Sequence, residues 1–419
     1  MKEVISKISK GILKREFSSD EERDTLLKKL NFSFCKDVWN TLIKISKHTK
    51  FNSLFPDFFP QFLKELSFCF DPDMALKNFE RFSEIIYDKN YLYTILNSEP
   101  WKLKILVSLF SGSQFLSDAL FQNPEYFDWL TDRDTLDSPK FKDTLYKELK
   151  EMIEKAVSYD DKLRVLRQFK KREFLRIGLR DLLRKADFVE TVEDLSNLAD
   201  ICLQKAYEFC NRELLEKFGV PMFIDKDGGE RVCEFVILGM GKLGGRELNF
   251  SSDIDLIYLY SSDKGGTAGI KELGDNIINK ITNHEYFCRL AQMITSAINN
   301  VTEDGFVFRV DLRLRPEGKS GDIAGSLRSY EIYYESWGEP WERQALIKTR
   351  PVAGSERLGK EFLDIIKPFV YRKYLDYSSL EEIKDMKERI DQNVQKKGIK
   401  GEDIKLGHGG IREIEFLIQ

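Results

Sequence analysis

Histidine is nearly missing from this 419-residue chain, which holds only His48, His284 and His408. That scarcity argues against a zinc centre built on imidazoles and against a histidine-based catalytic triad. The six cysteines, at positions 35, 69, 202, 210, 233 and 288, form no Cys-x-x-Cys pair and read as reduced thiols of a cytosolic protein. No window supplies the roughly 18 apolar residues that a membrane helix needs. Residues 1–17 lack the apolar stretch of a secretory signal. Neither sign of charge dominates: 66 Lys+Arg against 70 Asp+Glu leave a net charge of −4, which does not suit a general nucleic-acid binder. These absences describe a soluble, cytoplasmic chain with neither membrane nor nucleic acid as partner. A hydrophobic fraction of 42% is ample for large cores, and at roughly 100–200 residues per domain the length suggests two or three domains.

Residues 1–218 read as a helical region. Apolar residues recur at helical spacing in WKLKILVSLF (101–110) and FVETVEDLSNLADICLQKAYEF (188–209). The prolines at 56, 60, 72, 100, 124 and 139 are expected between helices. The texture changes at Gly219-Val220-Pro221. The run EFVILG (234–239) reads as a buried strand entering a glycine cluster, DIDLIYLYS (253–261) as a second strand, and FVFRVDLRLRP (306–316) as a third. A helix over about 270–300 is expected between the last two. Residues 219–352 thus form a small mixed α+β domain, and 353–419 a helical segment. The final stretch GHGGIREIEFLIQ opens a helix and stops inside it, which reads as the edge of a longer protein or an engineered truncation.

The glycine cluster GMGKLGG (239–245) permits close approach of backbone amides to a phosphate. Taken literally, Gly239-x-Gly241-x-x-Gly244 is the dinucleotide fingerprint, with Asp263 about 20 residues on, where a ribose-binding acid belongs. A nicotinamide oxidoreductase is therefore a competing reading. The second strand weighs against it. Side chains alternate across a strand, so Asp253 and Asp255 share one face. Two unpartnered carboxylates buried under a helix would cost several kcal/mol. They make sense as ligands of divalent cations that clamp a reacting phosphoryl group. On the third strand Val307, Arg309, Asp311, Arg313 and Arg315 are expected on one face, making Asp311 a third carboxylate among guanidiniums able to hold phosphate oxygens. The plainer reading pairs Asp311 with its arginine neighbours on a solvated sheet.

Here the residues become recognisable. VILGMGKLGGRELNFSSDIDLIYLY resembles the core motif of the glutamine synthetase adenylyltransferase/adenylyl-removing enzyme family, whose members carry two nucleotidyltransferase domains of the DNA polymerase β superfamily. SGSQFLSDALFQNPEYFDWL (111–130), RQFKKREFLRIGLRDLL (167–183), FRVDLRLRPEGKSGD (308–322) and WERQALIKTRPVAG (341–354) resemble the same family, which extends the likeness over roughly residues 90–419. PFVYRKYLDY (368–377) and IKLGHGGIREIEFLIQ (404–419) resemble its amino-terminal, adenylyl-removing half; the other half usually has Asp in place of Glu413.

The resemblance implies an α+β fold in which a DNA polymerase β-like nucleotidyltransferase domain is inserted in a mainly helical chain. It implies phosphorolysis of the AMP–tyrosine bond of adenylylated glutamine synthetase, giving ADP. Asp253, Asp255 and Asp311 would be catalytic and hold Mg²⁺, and the PII signal-transduction protein is an expected regulatory partner. Lys242, Arg313 and the amides of Gly241 and Gly244 are candidate phosphate donors. Ser251 and Ser252 either donate to phosphate or turn the chain. Arg343, Lys348 and Arg350 either reach the site or form surface ion pairs. Arg172, Arg176, Arg180 and Arg184 form a stripe that is either a solvated face or a docking surface for an acidic partner. His408, between glycines, reads as structural. An adenylyltransferase using ATP, and a non-catalytic sensor module, remain the other readings.

Overall fold

The computed structural model describes residues 1–14, 17, 19–48, 55–271 and 276–371, then 381, 384, 387, 388, 392, 404, 405 and 409–418. The chain is α+β and mainly helical, with every described strand between Pro221 and Gly354. It divides into two compact units, one of residues 1–141 and 169–194, the other of residues 142–168 and 195–419.

The first unit is a helical assembly around an aromatic core. Phe58, Phe59, Phe62, Phe79, Phe82 and Phe110 are all buried, and the Phe62 and Phe79 rings lie 4.3 Å apart. Pro72 and Pro100 begin helices, where a missing N–H costs nothing. Pro60 departs from expectation: it lies inside the helix Phe55–Phe68. The arginine stripe departs further. Arg176 and Arg180 are buried, not solvated: Arg176 donates to Glu173 at 2.6 Å and to Asp194 at 3.2 Å, and Arg180 to Glu190 at 2.5 Å. Burial would raise the Glu173 carboxyl, but Arg176, Lys140 and Arg172 outweigh it and hold the group below its usual range. A stripe spent on internal ion pairs offers neither a solvated face nor a docking surface. Only Arg184, at φ 55° beyond the helix end, is exposed.

The second unit carries strands β1 (Pro221–Ile224), β2 (Glu230–Val232), β3 (Phe235–Met240), β4 (Ile254–Tyr260), β5 (Gly266–Thr267), β6 (Ile270–Lys271), β7 (Ile277–Ile278), β8 (Val310–Asp311), β9 (Ala324–Ser326) and β10 (Arg350–Gly354). The main sheet runs β10-β3-β4, with β8 and β9 both on the far edge of β4. β3 is antiparallel to β10 and to β4, whereas β8 and β9 run parallel to β4. On one face Val236, Leu238, Ile257 and Leu259 pack against Tyr330, Tyr334, Leu358 and Phe362. On the other, Phe235 stacks on Phe287 at 5.6 Å and on Tyr207 at 5.7 Å. Three helices are fixed by side-chain caps: Thr282 for Asn283–Asn299, Ser326 for Leu327–Ser336 and Ser355 for Glu356–Val370.

Two elements differ from the sequence reading. The helix expected from about 270 begins only at Asn283, because Ile270–Lys271 and Ile277–Ile278 pair as a ribbon. The long third strand shrinks to Val310–Asp311. Val307 and Phe308 are both buried, which an alternating strand does not allow, and both amides donate to Ile298 O. After Asp311 the chain turns at once.

Candidate active site

The antiparallel β3–β4 pair positions the candidate residues. A dinucleotide-binding βαβ unit needs parallel strands joined by a crossover helix. Here the glycine cluster forms one short turn of helix, Gly241–Gly244, and the chain returns antiparallel. The nicotinamide reading is thereby excluded. The glycines serve the turn itself. Gly241 has φ +52°, and a Cβ there would stand 2.8 Å from Asp255 Oδ2. At Gly244 a Cβ would stand 2.1 Å from Lys348 O, so only glycine lets the 348–350 segment lie on the turn. Arg350 completes that clamp, donating to Leu243 O at 2.9 Å and to both carboxylate oxygens of the buried Asp200 at 2.8 and 2.9 Å.

β4 starts where the turn delivers it, and its parallel pairing with β8 sets Asp255 opposite Asp311. Asp253 precedes the strand by one residue. The covering helices shield β4 from Leu256 onward, while Asp255 stays half-buried and Asp253 exposed at the strand's mouth. Burial and then the charges of Asp311 and Asp253 push the Asp255 carboxyl up to about 6. Asp311 moves the other way, chiefly because Arg313 hydrogen-bonds it: Arg313 Nε lies 2.8 Å from Oδ2, and its backbone N–H donates to Oδ1 at 2.8 Å. Arg309 Nε donates to Asp253 Oδ1 at 2.5 Å and Nη2 to Ser251 O at 2.6 Å.

The donor chemistry fits a hard divalent cation: three carboxylates, with Asp255 raised by its burial and then by the charges of the other two. Among the described residues no three His, Cys, Asp or Glu side chains are gathered as a ready cage. The reason is visible, since Asp253 and Asp311 are each turned to a guanidinium. Arg309 and Arg313 are more than half exposed, and such pairs contribute only about 0–1 kcal/mol, a small barrier to exchange for a cation.

Other candidate residues separate. Lys242 lies half-buried in the turn. The Ser252 hydroxyl donates to Asn249 Oδ1 at 2.6 Å, as a turn residue does, and Ser251 is exposed with its carbonyl held by Arg309. Arg315 does not face the mouth as a phosphate donor; its guanidinium staples the following loop through Leu312 O and Gly321 O. Arg343 lies over the Phe369 ring at 5.0 Å. Lys348 bridges Glu247 and Glu415. Arg372–Asp376 and His408 lie outside the described residues, as does the side chain of Arg412. The sequence reading missed Asp200, although an acid within the apolar pattern LADICL signals a buried partner, and missed Asn299, whose Oδ1 accepts from Val310 N at 3.0 Å and positions β8.

Residues 103–365 match the family model described as glutamate-ammonia ligase adenylyltransferase, and residues 384–419 the model described as GlnD PII-uridylyltransferase. The chain is 44% identical over 309 residues to the bifunctional glutamine synthetase adenylyltransferase/adenylyl-removing enzyme of Pseudomonas aeruginosa, covering 74% of the chain and 30% of that protein. The proteins of the same name from Pseudomonas syringae pv. tomato and Psychromonas ingrahamii are 42% and 39% identical, over 74% and 83% of the chain and 30% and 35% of their own lengths. The chain therefore spans about a third of the length of these relatives.

Proposed function

We propose that this chain, which belongs to the glutamate-ammonia ligase adenylyltransferase family, removes AMP from the adenylylated tyrosine of glutamine synthetase by phosphorolysis. The observation that carries the chemistry is the register of β4 on β8, which sets Asp255 beside Asp311 at an open strand mouth with Asp253 next to it. Such a mouth suits in-line displacement at phosphorus, which positioning and charge stabilisation accelerate. The direction of the reaction rests on the flank Gly409-Gly410-Ile411-Arg412-Glu413, which resembles the adenylyl-removing half.

In this mechanism an oxygen of inorganic phosphate forms a bond to the AMP phosphorus as the bond to the tyrosyl oxygen breaks. The tyrosyl oxygen leaves with the electron pair and takes a proton, giving free tyrosine and ADP. A phenol with a pKa of about 10 is a tolerable leaving group. Mg²⁺ held by Asp253, Asp255 and Asp311 would neutralise charge on the phosphoryl oxygens. Arg309 and Arg313, released from Asp253 and Asp311, would turn to the same oxygens, and the glycine turn with Lys242 would bound the nucleotide phosphate. PII is proposed as regulatory partner, and the reaction is placed in the cytoplasm.

The second reading is adenylylation from ATP, favoured by the description of the matching family model. Two parallel assays separate them: labelled ATP with unmodified glutamine synthetase, and AMP-labelled glutamine synthetase with phosphate. ADP in the second with negligible label transfer in the first supports removal. Label transfer in the first with no ADP in the second reverses the assignment.

A further inference from the structure

Three consecutive residues at the end of the helix Asn283–Asn299 hold the chain that returns to the site. Ile298 O accepts from Val307 N at 3.0 Å and from Phe308 N at 3.1 Å. Asn299 Oδ1 accepts from Val310 N at 3.0 Å. Asn300 caps the helix, and its carbonyl is held by Arg167 Nη2 at 3.0 Å. The same guanidinium donates through Nε to Gly305 O at 3.0 Å and through Nη1 to Leu163 O, on its own helix, at 2.8 Å. Asn300 and Gly305 bracket a tight turn, in which Thr302 N donates to Gly305 O at 3.0 Å and Gly305 N to Thr302 O at 2.8 Å. Arg167 is only 2% exposed, and all three of its nitrogens donate to carbonyl oxygens. A buried charge is costly unless hydrogen bonds offset it, and a cation is favoured at a helix C-terminus. A planar fork can hold three carbonyls in fixed directions, which a lysine ammonium cannot do.

We infer that Arg167 is a positioning residue for the cation site: by clamping the 300–305 turn it fixes where β8 lies, and so where Asp311 stands opposite Asp255. The strand has little else to hold it. It pairs with β4 over Val310 and Asp311 alone and lies at the end of the main sheet's strand order. Its remaining supports are the amide of Ile254 on Arg309 O at 2.9 Å and the bonds to Ile298 and Asn299, which belong to the helix end that Arg167 grips. Arg167 acts through the turn and not by touching the ion. A small hard cation demands its oxygen ligands at about 2.0–2.1 Å, so a drift of Asp311 away from Asp255 weakens binding. The inference rests on the reading of Asp253, Asp255 and Asp311 as a cation site and is independent of the direction of the reaction.

The test is a titration of the whole chain with Mn²⁺, which suits the same oxygen ligands as Mg²⁺, with free Mn²⁺ followed by electron paramagnetic resonance. The titration yields both a Kd and a number of sites, and the site in question is the one lost in Asp255→Asn. Arg167→Met should raise its Kd by about tenfold or more with the number of sites unchanged. A merely structural defect would lower the number of competent sites and leave the Kd alone. Arg167→Lys keeps the charge without the fork and should resemble Arg167→Met. Asn299→Ala, at an exposed position on the same path, should raise the Kd by a smaller factor. Arg164→Met, which removes an exposed charge 4.0 Å from Asp304 and leaves the clamp intact, should bind like the parent. An unchanged Kd in Arg167→Met, full recovery in Arg167→Lys, or an equal loss in Arg164→Met overturns the inference. If Arg167→Met does not fold, an unchanged Kd in Asn299→Ala overturns it. A parent chain that shows no Mn²⁺ site sensitive to Asp255→Asn overturns the cation-site reading itself, whereas a parent that binds and variants that match it sink this inference alone.

Discussion

At Asp255, burial and the neighbouring charges of Asp311 and Asp253 raise the carboxyl from 3.8 to about 6. The folded value lies above the unfolded one, so the native state binds more protons between these values. Stability should fall as pH rises from about 4 to about 6 and stay lower above that. Asp255→Asn removes the cost, at most about 3 kcal/mol for a shift of roughly two units. Its melting temperature should exceed the parent's at pH 7.5 and match it near pH 4, with Mg²⁺ narrowing the gap by stabilising the parent. Thermal denaturation at the two pH values, with and without Mg²⁺, checks this. Gly244→Ala should act oppositely: a methyl 2.1 Å from the Lys348 carbonyl forces the 348–350 segment off the turn, lowering both melting temperature and activity. The pairing of carboxylates on one face was legible from the period of two along DIDL. The Arg309–Asp253 pair was not, because it joins positions 56 residues apart and no local period encodes it.

Among the elements, β3 and β4 were legible as apolar runs entering and leaving a glycine cluster, and both are buried along nearly their whole length. The third strand was over-read. Its alternating letters continue through Arg315, but Val307 and Phe308 are both pulled inward by Ile298, and Arg315 stitches a loop. Alternation in sequence is necessary for a half-buried strand and does not by itself create a pairing partner. The arginine stripe failed for a related reason. Spacing of four marks one helical face, and whether it meets water or acids depends on helices distant in sequence, such as the one carrying Asp194 and Glu190. At this scale the Arg350–Asp200 pair joins β10 to the helix Phe188–Phe218. Arg350→Met should cost about 3 kcal/mol, since it strips a buried carboxylate of its bidentate partner and leaves it Lys142 alone. Asp200→Asn combined with Arg350→Met should recover part of that loss in urea denaturation, because the uncompensated charge is gone.

At the scale of the whole molecule, the chain is mainly helical with a small mixed sheet in which β4 sets Asp255 opposite Asp311, and the family match spans residues 103–365. The direction of the reaction does not follow from that pairing, since adding and removing AMP both act at the same phosphorus. It depends on which anion enters and which group leaves. The most direct measurement follows the fate of phosphate. Glutamine synthetase carrying unlabelled AMP on its tyrosine is incubated with this chain, Mg²⁺ and ³²P-labelled inorganic phosphate, and the released nucleotide is separated. Phosphorolysis predicts labelled ADP with all the label in its β-phosphate, formed in step with recovered unmodified tyrosine and abolished in Asp253→Asn and Asp255→Asn. Release of unlabelled AMP, or no release alongside ATP-dependent modification of the unadenylylated protein, would contradict it.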